Sequence, residues 1–266
     1  MRIGIVGCAG RMGRILVREV LATGGATLSG GIEAAGHESV GTDVGALAGC
    51  PPCGLTVGDV AARLFAASDA VIDFTAPATV AAHARLAAEH GAALIVGTTG
   101  LQQVDHAALA AAGERVAVVQ AANMSIGVNL LLGLTRQLAA ILGRDFDIEI
   151  VEMHHRHKVD APSGTALALG EAAAAGRGVA LTDVARRSRD GQIGPRPAGE
   201  IGFATLRGGD VVGEHAVIFA GEAERVELVH KASSRAVFAR GAVRAALWTA
   251  GRPPGVYAMR QVLGLE

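Results

Sequence analysis

Apolar positions along this chain follow two patterns, and the change comes near residue 125. Residues 3–6 form a short unbroken apolar run that ends in a glycine cluster, and residues 15–23 follow with helical spacing. Further apolar runs at 26–32, 70–74, 92–96 and 116–119 read as strands. Alanine-rich helical stretches at 77–90 and 104–112 lie between several of them. Strands that alternate with helices imply a parallel sheet with helices on both faces.

Past residue 125 the order is different. A helix over 126–142 leads into a strand over 146–153, and 163–175 reads as a second helix. Strand-like runs at 201–206, 211–219 and 225–230 then follow with no helix between them, which favours a mixed or antiparallel sheet. A helix over about 236–249 is expected to return to the first domain, and 255–263 has strand character. The fold class is therefore α/β: a Rossmann-like parallel-sheet domain (1–125, completed by 235–266) plus a smaller α+β domain with a mixed sheet (126–234).

Composition narrows the function. Half the residues are apolar but only 3% are aromatic, so the core is built from Ala, Val, Leu and Ile, and base-stacking platforms are not available. The 24 basic and 25 acidic residues nearly cancel, which leaves no electrostatic footprint for nucleic acid. The one basic cluster, Arg186, Arg187 and Arg189, has Asp183 and Asp190 nearby and reads as a solvated loop rather than a phosphate site. Residues 116–134 carry no formal charge, yet Gln120, Asn123, Ser125, Asn129 and two glycines suit a strand, loop and helix better than a membrane span. With no secretory signal at the N-terminus, a soluble cytoplasmic protein is expected. Cys50 and Cys53 have redox or half-zinc spacing, but no second pair exists to complete a zinc site.

Two segments carry chemistry. Gly7, Gly10 and Gly13, with Cys8, Ala9, Arg11 and Met12 between them, form a G-x-x-G-x-x-G turn that follows a strand and opens a helix. Such a turn lets backbone approach a pyrophosphate, and Glu33 stands at the interval expected of an acid that binds ribose hydroxyls. The loops Gly97-Thr98-Thr99-Gly100 and Ala121-Ala122-Asn123-Met124 are expected at strand ends, where small residues let a nicotinamide ring lie against backbone. Taken alone, both also fit ordinary turns.

The other segment, 152–166 (EMHHRHKVDAPSGTA), sets His154, His155, His157 and Lys158 within five positions. Histidine titrates near neutrality and can supply a proton, and Lys158 offers a cation to an anionic substrate. Ser163 is a helix-capping residue, which would leave the N–H groups of Gly164 and Thr165 aimed at a carboxylate. A metal site is the competing reading, but no convincing ligand set is at hand and Lys158 would repel a cation. Asp160 reads as a local hydrogen-bonding partner, and His215 and His230 as strand residues with no assigned chemistry.

GCAGRMGR, the DFT of residues 73–75, GTTG, AANMSIGVN, EMHHRHKVDAPSGTA, GFATLRGGDVVGEH and HKASSRAVFARGAV occur here in that order. Together they resemble the 4-hydroxy-tetrahydrodipicolinate (dihydrodipicolinate) reductase family over nearly the whole chain. That resemblance implies hydride transfer from NAD(P)H to C4 of a cyclic dicarboxylate, with loss of water, in lysine and diaminopimelate synthesis. It implies a general acid at His154, a catalytic lysine at Lys158, and substrate contacts from His155, Gly164 and Thr165. It implies nucleotide contacts from residues 7–13, Glu33, 97–99 and 121–124, and no resident metal. It also implies a homotetramer assembled through the second domain, the one that binds substrate.

The chain departs from the family pattern in two places. Ala34 and Ala35 follow Glu33, and Ala76 follows DFT, where arginines often meet a 2′-phosphate. NADH is therefore expected as the preferred cofactor, with NADPH usable if His37 or Arg11 reaches that phosphate. Two other readings remain open at this point: another two-domain amino- or imino-acid dehydrogenase, and a nucleotide-sensing regulator, which would lack any basic surface.

Overall fold

Continuous apolar strands need cover on both faces, and the computed structural model, which describes residues 1–265, supplies it. The chain divides into two units: Met1–Ile126 with the segment from Arg235 onward, and Gly127–Ser234. The first unit begins β1 (Arg2–Val6), α1 (Arg11–Ala22), β2 (Thr27–Ile32), α2 (Val44–Leu47) and α3 (Ala61–Ala67). It continues β3 (Ala70–Asp73), α4 (Pro77–His90), β4 (Ala93–Val96), α5 (Gln103–Gly113) and β5 (Ala117–Gln120).

Every position of β3 and β4 is buried. Alternate side chains divide between two cores. Ile72 and Ile95 join Leu16, Val17 and Val20 of α1, whereas Val71 and Leu94 join Phe65, Val80 and Leu109 on the other face. Pro77 starts α4 at its first turn, where a missing N–H costs nothing, and Gly91 ends it in the left-handed region.

The second unit contains α6 (Ile126–Leu142), β6 (Asp147–His154), α7 (Gly164–Gly176), α8 (Leu181–Val184), β7 (Ala185–Arg186), β8 (Ile201–Arg207), β9 (Gly213–Ala220) and β10 (Arg225–Ala232). Its sheet has the order β10-β9-β6-β8-β7 and is mixed: β6 runs antiparallel to β9 and parallel to β8. Alternate residues of β6 are buried, namely Ile148, Ile150, Glu152 and His154. The first two pack with Val217, Phe219, Phe203 and the α7 residues Leu169 and Ala173. The last two are polar, so one sheet face passes from core to chemistry along a single strand.

The chain then re-enters the first unit as α9 (Ala236–Trp248), β11 (Gly255–Tyr257) and α10 (Met259–Val262). β11 completes a six-stranded, all-parallel sheet of order β11-β5-β4-β3-β1-β2. Strand character expected through residue 263 stops at Tyr257, because Gln261 turns back to bond the Ala258 N–H and opens a helical turn. Arg186, Arg187 and Arg189 are exposed, as expected, but two of them are also paired: Arg186 bonds Glu200, and Arg189 forks onto Glu149 beside Arg196. No helix among the described residues is long and apolar enough to cross a membrane.

Candidate active site

All strands of the first unit's sheet are parallel, so the loops after β1 to β5 lie along one edge. The sheet reverses its winding between β1 and β3, the place where open α/β sheets bind ligands. Gly7 there has φ +68, a conformation that favours glycine, and its N–H and that of Cys8 donate to the Ile32 carbonyl. A Cβ at Gly13 would stand 2.0 Å from the Gly7 carbonyl oxygen, so glycine is what lets α1 pack against the turn. Gly10 precedes α1 with no side chain capping it. Backbone without side-chain bulk at a helix start suits a pyrophosphate.

Glu33 directly follows β2, and its Oε1 accepts the Ala9 N–H at 2.7 Å. Glu33 and the glycine turn are therefore locked together. Cys8 points inward: its thiol is buried in the core and pushed up to about 12, by burial first and by Glu33 next. It thus brings backbone, not side chain, to the turn. Arg11 is exposed, Met12 and Ala9 partly so.

Sequence reasoning assigned no role to Asp73, which is fully buried. Its Oδ1 accepts the Thr75 N–H, the Thr75 hydroxyl at 2.6 Å and the Thr98 hydroxyl at 3.0 Å, while Oδ2 faces His83 Nδ1 at 2.7 Å. Burial opposes its charge, but the His83 bond and the threonine donors outweigh that and hold the carboxyl below its ordinary range. The side chain staples the loops after β3 and β4 to each other. Thr98 is consequently committed to the staple, leaving Thr99 and Gly100 exposed. In the loop at 121–124, Ala122 is exposed, Asn123 Oδ1 accepts the Ser125 N–H, and Met124 is core.

In the second unit, the end of β6 and the loop to α7 gather the predicted substrate residues. The loop is zipped onto the β8–β9 turn: His155 N–H donates to the Val211 carbonyl at 2.7 Å, and Gly208 N–H to that of His154 at 3.0 Å. Lys158 Nζ pairs with Asp160 Oδ1 at 2.8 Å, so Asp160 is the local partner expected of it, and that ammonium holds its carboxyl low. The Ala161–Pro162 peptide is cis. Ser163 caps α7 by accepting the Ala166 N–H. Gly164 is exposed and the space beside it is open, while Thr165 is partly buried on the next position. An anion can reach this helix start. His157 is exposed, and His155 is half-buried with Nδ1 inside the protein and unbonded.

His154 is buried, and its Nδ1 lies 2.6 Å from Glu152 Oε2. Glu152 is 1% exposed. It also receives both Nη groups of Arg207, at 2.8 and 2.9 Å, and the Ser163 N–H at 3.1 Å. Arg207 further donates to the Asp160 carbonyl, tying the lysine-bearing loop to β8. Burial disfavours the Glu152 charge, but Arg207, His154 and Ser163 outweigh it and keep the carboxyl below its usual value. Burial lowers the His154 value, Glu152 works the other way, and the net shift is downward. His215, opposite Glu152 in the β6–β9 register, bonds Ser163 Oγ at 3.1 Å and sits edge-on to His154 with ring centres 5.1 Å apart. Burial, with His154 next, brings it down to about 4.

Glu152, Arg207 and His215 had no assigned role in the sequence. For Glu152 and His215 the available signal was positional, each a polar residue at a buried position of an alternating strand, whereas Arg207, partly exposed at the end of β8, gave none. No group of three or more metal-ligating side chains gathers among the described residues.

Comparison with known proteins bears on both units. Residues 1–124 match the family model "Dihydrodipicolinate reductase, N-terminus", and residues 127–263 match "Dihydrodipicolinate reductase, C-terminus". The chain is 55% identical over 263 residues to a 4-hydroxy-tetrahydrodipicolinate reductase of Dinoroseobacter shibae, covering 99% of this chain and 98% of that one. It is 54% identical over 265 residues to the protein of that name from Afipia carboxidovorans, covering 100% and 97%. Among solved structures, a dipicolinate-bound dihydrodipicolinate reductase from Paenisporosarcina sp. TG-14 superposes with TM-score 0.75 at 22% identity, over 97% of both chains. An amine dehydrogenase from Mycobacterium smegmatis shares the fold with TM-score 0.62 at 14% identity, over 97% and 95%.

Proposed function

We infer from the chain's membership of the dihydrodipicolinate reductase family, to which it belongs, that it reduces 4-hydroxy-tetrahydrodipicolinate to tetrahydrodipicolinate in lysine and diaminopimelate synthesis. We further propose a reduced nicotinamide nucleotide as the reductant, NADH in preference to NADPH. The observation that carries the reading is the loop from Glu152 to Thr165: a buried acid–histidine pair, a lysine and an open helix start on one short segment.

Glycines 7, 10 and 13 and Glu33 suit a dinucleotide, because the turn has no side-chain bulk and the acid is fixed to it. Cys8, Ala9, Arg11 and Met12, with Gly97, Thr98, Thr99 and 121–124, complete that set. A nicotinamide nucleotide held there would supply hydride to ring C4, from which the 4-hydroxyl is lost as water. The first-turn N–H groups of Gly164 and Thr165 bind a substrate carboxylate, with His155 beside them. Lys158 meets the dianionic substrate, releasing Asp160 to solvent, and balances charge that develops on the ring as it accepts hydride. His154 donates the proton.

The cofactor preference rests on Glu33, whose charge repels a 2′-phosphate, and on Ala34 and Ala35, which offer no cation to offset it. The expected result is a kcat/KM for NADH at least about tenfold that for NADPH, a difference of roughly 1.4 kcal/mol. Equal values would remove the preference.

We also propose a homotetramer in the cytoplasm. One face of the second unit's sheet presents partly exposed Val151, Met153, Ala216 and Ile218 with half-exposed Leu206 and Val229, an apolar patch bordered by Glu149, Glu214 and Glu227.

A further inference from the structure

Glu152 and its surroundings determine more than charge. Its two oxygens accept from Arg207 twice, from the Ser163 N–H and from the His154 ring. Guanidinium and amide can only donate, so the carboxylate is held as an acceptor, with no proton of its own to give. The nitrogen 2.6 Å away, His154 Nδ1, must then carry hydrogen. That leaves Nε2 as the only ring nitrogen able to gain or lose a proton.

The surroundings of Nε2 support the same division. Gly213 lies beside it: a Cβ there would stand 3.0 Å from Nε2 and 3.3 Å from the adjoining ring carbon. Gly213 has no positive φ, so turn geometry does not explain glycine there, but space beside the imidazole does. His215 packs against the same imidazole in a T-shaped arrangement, with ring centres 5.1 Å apart.

We propose that Glu152, clamped by Arg207, is a positioning residue that confines proton exchange at His154 to Nε2, and that the missing side chain at Gly213 keeps that nitrogen open. The catalytic consequence rests on the reading of His154 as the proton donor; the tautomer itself does not.

The two parts are tested separately. Nitrogen-15 NMR of histidine-labelled full-length protein at mildly alkaline pH, with the signal identified by its loss in His154→Asn, should show hydrogen on Nδ1 and a bare Nε2. Hydrogen on Nε2 overturns the proposal whatever the activity. In Glu152→Gln, kcat should fall at least about tenfold while substrate KM and NADH affinity stay within about threefold, as for loss of a tautomer-fixing acid. Removing the carboxylate also removes an interaction that favours the imidazolium, so the alkaline limb of kcat should move to lower pH. A merely structural role would not move that limb. Gly213→Ala should lower kcat and leave the Nδ1–H tautomer in place. Unchanged kcat and pH profile in Glu152→Gln would overturn the assignment. A wild-type protein that reduces no dicarboxylate, yet shows the Nδ1–H tautomer and loses it in Glu152→Gln, would refute the reductase reading while supporting the positioning role.

Discussion

His154 and Lys158 lie four positions apart yet sit in opposite surroundings, one buried against a carboxylate and the other at the edge of a loop. The first is suited to moving a proton and the second to meeting charge. His154→Ala should therefore lower kcat about 10²-fold or more with little effect on NADH affinity, measured by steady-state kinetics and nucleotide fluorescence. Lys158→Ala should lower kcat and raise substrate KM together. The candidate substrate-site residues stood out in the sequence because they are crowded into one dense motif. Those that hold the candidate loops did not: Asp73 stood in a motif quoted for resemblance alone, and Arg207 reaches Glu152 across 55 residues. Nothing in linear spacing announces such a bond.

At the scale of elements, α7 shows how local sequence shapes a site. Ser163 Oγ caps the helix, and its N–H holds Glu152, so one residue ties the open helix start to the buried acid. Ser163→Ala should cost about 1 kcal/mol in urea unfolding and raise KM for the dicarboxylate more than it lowers kcat. A variant with wild-type KM would separate the cap from substrate binding. Elements of this size were foreseeable because three or more turns or a full buried strand leave a period to read. The four-residue helices α2 and α8 and the two-residue β7 leave none. The C-terminal stretch misled for a related reason: three residues of true strand run straight into a single helical turn.

Across the whole molecule, buried histidines make stability depend on pH in a window of their own. His215 has an ordinary value of 6.5 and a folded value of about 4. Above 6.5 both states are neutral and the contribution is intact; as pH falls toward 4 the unfolded chain takes up a proton the native site resists. Stability is lost over that interval, by up to roughly 3 kcal/mol. Asp73 and Glu152, whose values are depressed, add losses at lower pH, as their carboxylates are forced to protonate. Urea titrations from pH 7 to about 4 should show the first decline, and His215→Gln should flatten it. Equal slopes in both proteins would remove His215 as the cause. The division into a parallel and a mixed sheet could be anticipated from the change of pattern near residue 125. The parallel pairing of β6 with β8 could not, since 46 residues separate the end of one from the start of the other.

The most direct test of the central claim follows nicotinamide absorbance as NADH is mixed with the cyclic dicarboxylate, freshly generated from aspartate semialdehyde and pyruvate. Oxidation that requires the dicarboxylate, and that is lost in Lys158→Ala, is the expected result. Tight NADH binding with no dicarboxylate-dependent oxidation of either NADH or NADPH would contradict the account.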